Sequence, residues 1–202
     1  MRVIDGGRAA PEEVAPGVEA NARLTGSTAA VLLILLAVEG VTILEVSSLL
    51  RLHVFVGMLL VPPVLLKTAT TGYRFARYYA GSPPYVRRGP PPPVLRILGP
   101  VVGVLTIAVL GTGISLLWTP STWRDTTLLL HKATFVVWFG AMTLHVLGHL
   151  VDTYRLAPRD WTPKGAYVPG VWLRRAVLVA TLVAGVGLGL LALGQVDAWV
   201  RR

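Results

Sequence analysis

The sequence predicts an all-α integral membrane protein: a four-helix bundle plus one additional transmembrane helix, five spans in all. Three observations predict it. Of 202 residues, 53% are hydrophobic and only 14% charged, where soluble domains carry about 25% charge; the mean hydropathy is +0.63. Five apolar stretches approach the ~20 residues a helix needs to cross a bilayer. The 19 lysines and arginines cluster between those stretches, as the positive-inside pattern requires. Net charge +9 therefore reads as membrane topology, with the lipid bilayer as partner and no nucleic acid. The absence of cysteine excludes disulfides, thiolate metal sites, iron–sulfur clusters and covalently attached c-type haem.

Residues 1–27 hold acids, prolines and glycines without a basic start or cleavage site, and a loose polar tail is expected there. The bundle is expected over 28–195. Its first span, about Thr28 to Val46, contains Glu39. An ionisable group in hydrocarbon is costly, so Glu39 is either hydrogen-bonded to a neighbouring helix or part of a proton or quinone site. The second span, about Leu49 to Tyr73 with an amphipathic continuation to Tyr79, carries His53 near its start and Lys67 14 residues later; Pro62-Pro63 should kink it.

Prolines in GSPPYVRRGPPPPVLR, residues 81–96, favour an extended connection over a helix. The third span, about Val94 to Trp118, has Gly99, Gly103, Gly111 and Gly113, which should permit close helix packing. The fourth is the apolar segment from Thr126 to Tyr154. The fifth, about Ala176 to Gln195, bears Gly185 and Gly189 in small-xxx-small spacing and should pack on the bundle or on a second copy. Residues 196–202 form a short tail.

The fourth segment carries three of the four histidines. At about 100° per residue, His131, Phe135, Trp138, Met142, His145 and His149 fall within roughly 40° of one line. From His131 to His145 is 14 residues, about 21 Å of rise, a spacing that suits two haems stacked across a bilayer. A histidine in a span also serves as an ordinary packed or hydrogen-bonded group, but three on one stripe favour ligation.

Basic residues divide 13 against 5 between the two sides, with Lys67 inside the membrane. The amino terminus is therefore expected in the cytoplasm and the carboxyl terminus outside, in the cell membrane. His53 and His131 then lie at one depth on spans that both descend from outside, as the two axial ligands of an outer b-type haem must. His145 and His149, one turn apart on one helix, cannot take opposite faces of one iron. Lys67 is the strong donor at the depth of His145, and a neutral lysine is a competent ligand. Met58 and Met142 fit the register less well. Alternatively, Lys67 snorkels or binds a propionate. His149, Arg74, Arg77, Tyr73 and Tyr78, near the inner boundary, are candidate propionate or quinone partners, or ordinary inner-face anchors.

The run RLHVFVGMLLVPPVLLKTATTGYRFARYY, then YVRRGPPPP, then LLLHKATFVVWFGAMTLHVLGH, resembles actinobacterial membrane cytochromes b of the b-561-like type. It also resembles the membrane domains attached to some molybdopterin-dependent oxidoreductases. The resemblance spans about residues 49 to 152 and implies a four-helix haem bundle with His53, His131 and His145 as haem residues. Di-haem members supply four histidines, and lysine stands here where the fourth would be.

The expected function is electron transfer by a b-type cytochrome, as carrier or oxidoreductase subunit, with at least one haem and by register two. Electrons would pass between a quinone or membrane donor and a separate redox partner. The rival readings are a proton or metal path through Glu39, Lys67 and the histidines, and a haem-free anchor subunit.

Overall fold

The computed structural model describes residues 15–90, 92–162 and 168–200. Among these there are six helices and no strand. They are α1 (Pro16–Leu44), α2 (Val46–Tyr79), α3 (Pro83–Arg88), α4 (Pro93–Leu116), α5 (Ser121–Leu156) and α6 (Val171–Val200), with a 3-10 turn at Ala157–Asp160 after α5. All but the six-residue α3 are long and apolar enough to cross a membrane. The all-α membrane architecture is thus as expected. Few side chains are buried, and large apolar ones such as Val136 and Leu191 are exposed, as helices whose outer surfaces meet lipid require.

Helices α1 and α2 form a hairpin closed at Glu45, whose carbonyl accepts the amides of Ser48 and Leu49. Antiparallel register is set by the contacts of Glu39 with His53, Thr25 with Lys67 and Asn21 with Thr70. A second antiparallel pair, α4 and α5, is registered by Thr112 with His131 and Thr106 with Trp138. Both α2 and α5 pack against α1 and α4, so they face each other across the four-helix bundle and run in the same direction. That arrangement places their histidine-bearing lengths side by side in depth. The fifth span, α6, lies outside against α2. A Cβ on Gly185 would come within 2.6 Å of the Leu59 carbonyl, and one on Gly189 within 2.6 Å of the Phe55 ring. Those two glycines let α6 dock on the bundle, one of the two uses their spacing allows.

Several boundaries differ from expectation. The first helix begins at Pro16, so residues 16–27 are not a loose tail; residues 1–14 lie outside the described residues. Pro16 occupies the first turn, where its missing N–H costs nothing, and Arg23 pairs with Glu19 one turn earlier. The proline-rich connection is not wholly extended, because Pro83 and Pro93 each start a helix for the same reason. Between them Gly89 takes a positive φ of 74°, which ends α3. Helical geometry continues through Pro62-Pro63, and the non-helical angles in α2 are at Leu49. Gly99, Gly103 and Gly111 have open space where a Cβ would go, so they do not mediate close packing within this chain. At the end, α6 continues through Val200 rather than giving way to a tail at 196; residues 201–202 are outside the described set.

Candidate functional site

His53 on α2 and His131 on α5 meet between the two helix hairpins. Their ring centres are 6.3 Å apart and the planes cross at 74°. Each ring is held through Nδ1. On His131, Nδ1 lies 3.1 Å from the Val109 carbonyl and 3.2 Å from the Thr112 hydroxyl. A carbonyl can only accept, so Nδ1 carries the proton and Nε2 presents its lone pair. On His53, Nδ1 lies 3.0 Å from Glu39 Oε1 and 3.0 Å from Thr42 Oγ1. The Thr42 hydroxyl spends its own proton on the Glu39 carbonyl, 2.6 Å away, so towards His53 it accepts. Both imidazoles therefore expose Nε2 as a free lone pair, with no hydrogen-bond partner for it among the described residues.

A small residue makes room beside one of these rings: a Cβ on Gly113 would come 2.9 Å from His131 Cε1. Two metal–imidazole bonds of about 2 Å, each extended by the roughly 1 Å from nitrogen to ring centre, span about 6 Å, the separation found here. The two imidazoles are thus of the donor type, and at the ring-centre separation, that a haem iron takes between two histidines. Among the described residues no three His, Cys, Asp or Glu side chains converge as an ion site.

Deeper in the bundle the predicted inner residues are near one another but not joined. Lys67 Nζ donates to the Thr25 carbonyl on α1 at 3.2 Å. His145 and His149 lie against each other with ring centres 4.7 Å apart and planes tilted by 56°, and His145 Nδ1 is buried without a hydrogen-bond partner among the described residues. Trp138, buried between the two depths, donates its indole N–H to Thr106 at 2.9 Å and lies beside Phe135 at 6.1 Å.

The inner rim is engaged internally. Arg74 reaches the Gly89 carbonyl at 3.5 Å, Arg77 the Ser82 hydroxyl at 3.0 Å, and Tyr78 lies under Arg96 at 5.9 Å. Tyr73 meets Tyr85 edge to face at 5.9 Å. Burial and then the neighbouring Tyr73 push the Tyr85 hydroxyl above its ordinary value, so it stays a neutral donor. These contacts anchor α3 beneath the bundle.

A scan of family models, a search of curated proteins and a search of solved structures each return no match to this chain. The site's chemistry therefore rests on its own residues.

Sequence reasoning placed His53 beside His131 but missed what holds them. Thr42, Thr112 and the Val109 carbonyl carried no signal, because serine, threonine and backbone partners are common in any span. Glu39 did carry one, as an acid inside hydrocarbon, and the structure gives it a neighbouring-helix partner, His53. Also missed was a knot of charge at the end of the bundle away from His53 and His131. Asp160 receives Arg174 Nη2 at 2.8 Å, Arg174 Nε and Arg23 Nη1 at 3.4 Å. It ties α1, the turn after α5 and the start of α6 together.

Proposed function

We propose that this protein is a membrane b-type cytochrome whose outer haem is held between His53 and His131. The observation that carries the reading is the pair itself: two imidazoles on facing helices, 6.3 Å apart, each protonated on Nδ1 by its acceptors and each offering Nε2. A haem bound there supplies one-electron chemistry at fixed depth. The chain's own part is to orient both ligands through Glu39, Thr42, Thr112 and Val109, and to keep the site in an apolar sheath that excludes water.

A second haem is proposed at the inner depth, with Lys67 and His145 as ligands. Both stand 14 residues beyond the outer pair, about 21 Å along parallel helices. A neutral coordinated amine keeps two N–H donors, so Lys67 can bind iron while still serving the Thr25 carbonyl. His149, Arg74, Arg77 and Tyr78 then border that centre from the inner face as propionate or quinone partners. Electrons pass between a quinone or membrane donor and a separate redox protein. The amino terminus lies in the cytoplasm of a cell carrying the protein in its cell membrane, on the 13-to-5 division of basic residues.

The test is the absorption spectrum and pyridine haemochrome of protein purified from membranes. Near-stoichiometric or twofold haem b, with a low-spin spectrum lost in His53→Ala and His131→Ala, is the expected result. Protein that purifies folded and free of haem overturns the proposal.

A further inference from the structure

The two outer histidines are held by different chemistry. His131 is fixed by a backbone carbonyl and a hydroxyl from α4, whereas His53 is fixed by the carboxyl group of Glu39 and the hydroxyl of Thr42, both from α1. Thr42 is fully buried and bridges the cradle, lying 3.3 Å from Glu39 Oε2 as well as 3.0 Å from the imidazole. Gly57, one turn along α2 from His53, faces the same carboxyl: a Cβ there would meet Oε1 at 3.6 Å, an ordinary contact. Two side chains of α1 thus meet one ring nitrogen as acceptors.

From this geometry we infer that Glu39, supported by Thr42, is the positioning residue that orients His53 and sets the potential of the outer haem. The inference rests on the proposed haem at His53 and His131. An acceptor on Nδ1–H fixes the tautomer and raises the basicity of Nε2. A more basic ligand favours ferric iron, which carries one more positive charge than ferrous, so removing the acceptors raises the potential. Ligand hydrogen bonding is one of the levers by which a protein tunes a haem. Glu39 touches neither iron nor porphyrin in this account; it acts through His53.

Redox titration of the full-length protein in detergent, wild type against variants, tests it. Glu39→Leu combined with Thr42→Val removes both acceptors with little change of volume. It should shift the ferric-to-ferrous balance of the outer centre by about tenfold or more, about 59 mV upward for a one-electron couple, or release that haem. Glu39→Gln keeps an acceptor oxygen and should retain the haem and recover most of the wild-type potential. Normal haem with a shift under twofold in the double variant overturns the inference while leaving the haem proposal intact. Loss of the haem from Glu39→Gln as well, a variant that keeps both the shape and an acceptor oxygen, also overturns it. A haem-free wild-type protein removes the underlying reading and this inference together.

Discussion

Gly113→Ala adds a single methyl group where the backbone of α4 lies against a proposed iron ligand. The new Cβ would lie 2.9 Å from His131 Cε1 and 3.3 Å from Nδ1. Carbon atoms pack best at about 3.5–4.0 Å, so ring and helix must separate by about 0.6 Å or more. Metal–ligand distances tolerate deviations of only about 0.2 Å, and the same movement stretches the 3.1 Å bond from Nδ1 to the Val109 carbonyl. Overpacking of this kind costs about 1–3 kcal/mol. At about 1.4 kcal/mol per tenfold, haem affinity at the outer site should fall about 5- to 150-fold. Gly111→Ala, two residues away on the same helix with nothing within 4 Å of its Cβ, is the matched control. It gains the same helix propensity, up to about 1 kcal/mol, and should bind haem as the wild type does. Titration of haem into the stripped proteins, followed by a carbon monoxide difference spectrum, reads both effects. Equal haem affinity and equal low-spin spectra in the two variants would refute the placement of His131 as a ligand.

The inner centre predicts that Lys67→Ala removes or perturbs one of two haem spectra, whereas Lys67→His preserves a low-spin centre; two unperturbed haems in Lys67→Ala, or one haem in the wild type, rule it out. Reporter fusions should place the segment after Arg88 in the cytoplasm and the end after Arg202 outside, and a cytoplasmic carboxyl terminus would contradict the charge argument. Asp160→Ala leaves the buried guanidinium of Arg174 without its carboxylate. At about 3 kcal/mol, the lower end for a broken buried pair, and about 2–4 °C per kcal/mol, the melting temperature in detergent should drop by about 6–12 °C. A change of less than about 2 °C would show that this charge knot contributes little.

The amino-acid sequence by itself determined the five spans, because bilayer thickness and backbone hydrogen bonding are local demands that any apolar run of sufficient length meets alone. It also determined that His53 and His131 share a depth, since depth along a helix is counted in residues and both spans descend in the same direction. Helix ends are less legible. Proline at 83 and 93 has the composition of a breaker, whereas its position within the first turn makes it a starter. The rotation of each helix about its axis was not countable. Packing decided it, and with it which glycine meets His131. Gly113 touches His131 while Gly111 faces open space, although both stand in the same glycine-rich span. The same rotation turned Glu39 and Thr42 onto His53, Val109 and Thr112 onto His131, and Lys67 onto the Thr25 carbonyl. Only the tertiary structure decided these contacts, because each joins residues on different helices and depends on how close-packed side chains settle together, a property that no single segment carries.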